Sequence, residues 1–216
     1  MSNDKRIFLK KIMTKLKLHY KNSLKSSLNF SSPWQLLVAT ILSAQAQDKQ
    51  VNKATVELFK KYPDINDYLN LKPNMLFKYI KHIGLYRNKG NNIIKASHYI
   101  RDNFNSKIPK NIDELVQIPG VGRKTANVVL SGAYNLHHGI AIDTHCITVA
   151  NRLGIAKTKN PEKIERILID NVDINNRKYV SNAFIVLGRD TCTARRKYCN
   201  RCVLKNICPS SDYKNR

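Results

Sequence analysis

An almost entirely α-helical fold is predicted by three features of the 216-residue sequence. Apolar residues recur at intervals of three and four, the period of a helix with one buried face. Clean two-residue alternation, the mark of a half-buried strand, is rare. Capping and breaking residues also fall between the periodic segments, as at Ser32-Pro33, Tyr62-Pro63 and Asn160-Pro161-Glu162. Hydrophobic residues make up 42% of the chain and charged residues 25%, the balance of a folded globular protein. The length suits one large or two small domains.

The first helix is predicted over residues 6–20, where Leu9, Ile12, Met13, Leu16 and Tyr20 keep helical spacing beside Lys10, Lys11, Lys15, Lys17 and Lys21. Ser32 is placed to cap the second, 33–46, and Pro33 to open it. The third, 48–61, closes at Tyr62-Pro63. Segments 65–70 and 73–82 follow, and Gly84 stands where a left-handed terminating residue belongs. The pattern continues over 86–104, 111–117, 123–136, 144–153, 161–170 and 175–187. No tandem repeat or low-complexity linker interrupts it.

Lys and Arg number 38 against 15 Asp and Glu, a formal net charge of +23 with a pI near 10.0. Such a surplus points to a polyanionic partner, nucleic acid first, because neutralised phosphates release counterions and give sequence-independent affinity. Abundant surface lysine is the plain alternative, and an anionic membrane surface a third. The N-terminal lysine-clad segment suits a membrane surface, yet a helix covering a core has the same pattern. Transit peptides favour Arg and Ser, and this segment has one Arg. No apolar run of about 18 residues exists to span a membrane. The first 25 residues contain no continuous apolar stretch of a secretory leader. Apolar stretches such as Pro33–Ala46 and Val121–Gly139 argue against disorder. The expectation is a soluble, cytoplasmic, nucleoid-associated protein, monomeric and not bound to membrane.

Four of the five cysteines fall within 17 residues, as Cys192-x6-Cys199-x2-Cys202-x5-Cys208. Without a secretory leader, this clustering argues for a metal site rather than disulfides. Four thiolates suit tetrahedral zinc or a cubane iron–sulfur cluster. Zinc sites more often carry two C-x2-C pairs, and only Cys199 and Cys202 form one here, so the spacing favours iron–sulfur. Cys146 stands apart among apolar neighbours, as a packed core residue does. Around the cluster Arg189, Arg195, Arg196, Lys197, Arg201 and Lys205 face a single Asp190. These cations either form a phosphate-binding knob or offset the charge of the metal–thiolate group.

The second informative segment runs from Leu115 to Leu130 and contains Pro119-Gly120-Val121-Gly122-Arg123-Lys124. Its glycines permit positive φ and a close backbone approach. A helix starting at Arg123 offers N–H groups and a positive dipole end to a phosphate. This is a helix–hairpin–helix pattern, which holds the DNA backbone without reading bases. Lys124 lies in the first turn, where the helix end, Arg123 and partial burial would each disfavour the ammonium form. A neutral lysine amine can act as a Schiff-base nucleophile. Asp143 follows Ile140-Ala141-Ile142; taken alone, it is a helix N-cap as readily as a catalytic group.

Together these residues resemble the endonuclease III family, bifunctional DNA glycosylase/AP lyases of the helix–hairpin–helix superfamily. The resemblance runs from about Leu28 to Cys208. It includes Asn29-Phe-Ser-Ser-Pro33, Leu42-Ser-Ala-Gln-Ala46, Val51-Asn-Lys-Ala-Thr55, Ile83-Gly-Leu-Tyr86, the hairpin, Ile142-Asp-Thr-His145 and the cysteine spacing. The resemblance implies two helical domains flanking a DNA-binding cleft. Residues 26–137 would form a six-helix domain ending in the hairpin; 1–25 with 138–216 would form a discontinuous domain carrying a [4Fe–4S] cluster.

By the same resemblance, Lys124 is the nucleophile and Asp143 the catalytic carboxylate. Gln45 fills the gap left by an extruded nucleotide, and Leu85 wedges into the opposite strand. Cys192, Cys199, Cys202 and Cys208 match the cluster ligands, while the hairpin's Gly120, Val121, Gly122 and Arg123 and the basic loop's Arg196 and Lys197 are expected to contact DNA from the pattern and charge read above. Gln47 stands where threonine is common, and Cys146 where a larger aliphatic is common. The implied activity is excision of oxidised pyrimidines from duplex DNA, with cleavage 3′ to the resulting abasic site. An adenine-type mismatch glycosylase of the same fold is disfavoured by Lys124 and by Thr40, where that group usually has glutamate. A non-catalytic DNA-binding module, with Lys124 only touching phosphate, is the other alternative.

Overall fold

The computed structural model describes residues 3–21 and 28–215. Ten α-helices order the described chain: α1 (Asn3–His19), α2 (Pro33–Ser43), α3 (Asp48–Lys61), α4 (Pro73–Ile80), α5 (Tyr86–Phe104), α6 (Ile112–Leu115), α7 (Arg123–Tyr134), α8 (Thr144–Arg152), α9 (Pro161–Asn171) and α10 (Ile174–Asp190). Three short 3₁₀ turns accompany them. Among the described residues there is no strand, only an isolated bridge between Cys192 and Lys197. The fold is all-α. It divides into two compact units, one of Ser27–Leu136 and one of Met1–Ser26 with His137–Arg216. The boundary expected between residues 25 and 26 lies outside the described residues.

The first of these units is built around α2. Ser32 caps it by accepting from the Gln35 N–H at 3.2 Å, and Pro33 opens it. Every residue from Trp34 to Leu42 is buried, so this helix is enclosed on all sides and is the centre of its unit. It packs against α3, α5 and α7. Gly132 lets α7 come close: a Cβ there would stand 2.7 Å from Leu36 Cδ2.

Three expectations need correction here. The second helix ends at Ser43 rather than 46, because Gln45 takes φ 54° and turns the chain. The segment expected as a helix over 65–70 is a 3₁₀ turn, Ile65–Tyr68, locked by an Asp64–Asp67 capping box. The left-handed residue after α4 is Leu85, at φ 58°, and not Gly84.

In the other unit α1 supplies Leu9, Ile12, Met13 and Leu16, all buried. The apolar stripe of the N-terminal helix therefore covers a core, and not a membrane surface. Among the described residues no helix is long and apolar enough to cross a membrane. Helix α1 packs on α9 and α10, and α8 packs most extensively on α10. Buried Glu165 of α9 accepts from the Ile140 N–H at 3.1 Å, fixing the chain just ahead of α8.

Gly188 permits the α8–α10 approach, since a Cβ there would lie 2.9 Å from the Cβ of His145. Gly188→Ala should therefore destabilise the protein by about 1–3 kcal/mol, the usual cost of overpacking, read as a lowered urea midpoint. An unchanged midpoint would show that α8 can move aside freely.

Candidate functional site

Within Ser27–Leu136 the hairpin is fixed by its backbone. Gly120 takes φ +81°, and an added Cβ would come within 2.9 Å of Asn92 Cβ on α5. No other residue type fits this turn without strain. The Val121 N–H bonds the Ile118 carbonyl at 3.0 Å, and the Val121 side chain is buried. Any contribution of Val121 to DNA would thus come from its backbone. Gly122 is extended rather than left-handed and forms the N-cap of α7 with no side-chain acceptor. Arg123 and Lys124 follow at once in the first turn, both exposed. The partial burial expected of Lys124 is absent, so its reach is toward whatever docks on this helix end.

Gln45 and Leu85 are both exposed, and both are held in the left-handed region, at φ 54° and 58°. Non-glycine residues seldom adopt it, and such strain concentrates at functional positions. Leu85 is 64% exposed, far outside the core expected of a loop leucine. Thr40 is buried and donates its hydroxyl to the Leu36 carbonyl at 2.7 Å, so no acid stands at that position of α2.

Within the second unit Asp143 is the N-cap of α8. Its Oδ1 accepts from the Cys146 N–H at 2.8 Å. The cap engages one carboxylate oxygen and fixes the side chain; Oδ2 takes no part in it. Cys146 is fully buried, and burial, aided by the nearby Asp143 carboxylate, pushes its thiol up to about 12. It is an inert core residue, as its apolar neighbours suggested.

Cys192, Cys199, Cys202 and Cys208 line one small cavity with Arg152, Lys197 and Lys205. Burial raises the Cys202 and Cys208 thiols above the ordinary range. Among the described residues no three His, Cys, Asp or Glu side chains converge to hold a single metal ion. Arg152 was not legible in the sequence, being 40 residues from the cysteine it serves. Its Nη1 donates to Cys192 Sγ at 3.4 Å and to the Thr193 carbonyl at 2.6 Å, and its Nη2 to the Ala194 carbonyl at 3.0 Å.

The cations around the loop divide. Lys197 Nζ donates to Asp212 at 2.6 Å and to the Ser210 carbonyl at 2.9 Å, and Arg201 pairs with Asp190 at 3.3 Å. Arg196 is exposed, with its guanidinium over the Tyr198 ring. Lys197 would have to leave Asp212 to reach a phosphate.

The chain matches the model of the HhH-GPD superfamily of base excision DNA repair proteins over residues 38–173. That span holds the hairpin and Asp143 and stops short of the cysteine loop. Endonuclease III of Buchnera aphidicola subsp. Schizaphis graminum is 44% identical over 195 residues, 89% of this chain and 93% of its own. The Synechocystis endonuclease III is 41% identical over 185 residues, 86% and 84% of the two chains. The structure of a trapped endonuclease III–DNA covalent intermediate superposes with a TM-score of 0.90 at 34% identity, covering 100% of both chains.

The cap geometry gives Asp143 a structural role that can be measured by itself. Asp143→Ala should cost about 1 kcal/mol of stability through loss of the cap, whereas Asp143→Asn should stay within about 0.5 kcal/mol of the parent. Equal losses in denaturant titrations would show that the cap contributes nothing.

Proposed function

We infer the function from one premise: the chain belongs to the endonuclease III family, within the HhH-GPD superfamily of base excision DNA repair proteins. It is a DNA glycosylase and AP lyase. Its substrate in this proposal is duplex DNA carrying an oxidised pyrimidine or an abasic site. The observation that carries the reading is the exposed Lys124 amine, set by the Gly120 turn in the first turn of a helix.

The chemistry follows from those positions. A base within a duplex is out of reach, so the nucleotide must leave the stack at a cost of a few kcal/mol. Gln45 and Leu85, exposed and conformationally fixed, offset that cost by occupying the vacated space. The N-terminal turn of α7 holds the backbone through its positive end, which leaves Lys124 beside the sugar. Docked DNA removes water from the amine, a role that burial in the protein does not supply.

Lys124 Nζ attacks C1′ as the C1′–N bond to the damaged base breaks and the base leaves with a proton. Asp143 stabilises positive charge developing on the sugar and assists the proton transfers. Loss of the ring oxygen from C1′ gives an imine between Lys124 and C1′. The imine acidifies the C2′ proton, and its removal expels the 3′ phosphate by β-elimination. Water then returns the amine. At an abasic site the same sequence starts from the C1′ aldehyde.

Cys192, Cys199, Cys202 and Cys208 are the residues we assign to a [4Fe–4S] cluster. The support is a donor set of four thiols lining one cavity, with the Arg152 guanidinium bonded to Cys192 Sγ to offset thiolate charge. When bound, such a cluster supplies a covalent brace for the loop that presents Arg196. Arg196 is then a phosphate contact, as are Gly120, Gly122 and Arg123 through the hairpin. The double-stranded DNA partner is thus held mainly by its backbone.

With an abasic-site duplex and borohydride, the parent protein should give a covalent complex and Lys124→Gln should give none. Equal trapping by both would leave Lys124 as a phosphate contact and favour the non-catalytic module. Purified protein should contain about four iron atoms and four sulfides per chain and lose both on Cys202→Ala. Stoichiometric zinc in their place would overturn the cluster assignment.

A further inference from the structure

Lys89 is 6% exposed, a rare situation for a lysine. It lies one turn after Leu85 on α5, and its side chain crosses to the end of α2. There its Nζ donates to the Leu42 carbonyl at 3.0 Å. That carbonyl is available because the Ala46 N–H bonds Ser43 O at 3.0 Å instead of continuing the helix to Leu42. The departure coincides with the left-handed turn at Gln45. At its other end Lys89 donates its backbone N–H to the Leu85 carbonyl at 3.1 Å. A single residue thus bonds the peptide carrying Leu85 and the peptide that leads into Gln45, 47 residues away in sequence from its Leu42 partner.

The placement has an electrostatic basis. The last carbonyls of α2 form the negative end of a fully buried helix, and an ammonium there is favoured by the dipole. Burial lowers the Lys89 pKa, so the carbonyl contact is what compensates the enclosed charge. The next residue is fixed as well: Gly90 leaves room for Phe77, whose ring would stand 2.7 Å from an added Cβ. The backbone after Lys89 therefore packs closely on α4, and the Lys89 side chain cannot leave without stranding the Leu42 carbonyl.

We propose that Lys89 is a positioning residue that holds the Gln45 and Leu85 loops in one fixed spacing, ready to enter the stack together. The inference rests on the roles proposed above for Gln45 and Leu85. Two residues that fill one duplex gap must arrive at matched depth, and misplacement by about 1 Å can cost on the order of a hundredfold in rate. A clamp across the bases of both loops sets that spacing before DNA is bound.

A double-mutant cycle tests it, comparing the parent, Lys89→Met, the Gln45→Ala/Leu85→Ala protein, and all three changes combined. The readout is the rate of borohydride trapping on an abasic-site duplex, with 2-aminopurine beside the site reporting entry into the stack. Lys89→Met should slow trapping about tenfold and suppress the fluorescence rise in the parent, yet slow it less than about twofold where Gln45 and Leu85 are already Ala. Equal slowing in both backgrounds, or none in the parent, would overturn the proposal. If Gln45→Ala/Leu85→Ala traps as fast as the parent, the roles of those two residues fall and the clamp falls with them. Should Lys89→Met not accumulate as folded protein, Lys89→Gln, whose amide nitrogen ends one bond short of the lysine Nζ and so falls short of the Leu42 carbonyl, is read in the same cycle against the same outcomes.

Discussion

The chemistry depends on one backbone constraint: Gly120 at φ +81°, lodged against Asn92 of α5. With no Cβ at residue 120, the chain can leave the buried Ile118, turn, and start α7 five residues later. Val121 anchors the turn inward, so the exposed faces of Gly122, Arg123 and Lys124 point away from the core. A side chain at residue 120 would strain the φ and collide with Asn92, displacing the lysine that is asked to reach one sugar carbon. The lysine proposed as nucleophile therefore owes its position to a residue that has no side chain.

Helix α5 extends the same constraint across its unit. Its first residues follow the left-handed Leu85, its Lys89 ties off α2 below Gln45, its Gly90 packs against Phe77, and its Asn92 receives the hairpin. Three structures proposed to meet DNA are referenced to two turns of one helix. In the other unit, Asp143 has a comparable economy. The N–H of Cys146 fixes one carboxylate oxygen, so orientation of the acid comes from the start of α8. A capping role and a chemical role are compatible in one aspartate because a carboxylate has two oxygens.

Much of this was legible in the sequence, for identifiable reasons. Helices such as 48–61 and 86–104 declare themselves through periodicity, the first closed by Tyr62-Pro63. Pro119-Gly120-Val121-Gly122 is local, so its turn could be read directly, and so could the capping preference of Asp143. The misplacements share a different cause. No local residue signal marks Gln45 or Leu85 for positive φ, and Gly84 beside Leu85 misdirected the expectation. Lys89 and Arg152 carry no sequence signal of their roles, because their partners, Leu42 O and Cys192 Sγ, are 47 and 40 residues away. Lys197 looked available for phosphate because Asp212 lies beyond the cysteine loop. Backbone turns and caps are local information; tertiary hydrogen bonds are not.

The central claim is that the Lys124 amine becomes bonded to a sugar carbon during each turnover. Mass spectrometry of peptides from a borohydride-reduced reaction with lesion-containing duplex tests it most directly. The adduct should map to Lys124 alone. An adduct on any other residue, or product formed with no adduct at all, would contradict the account.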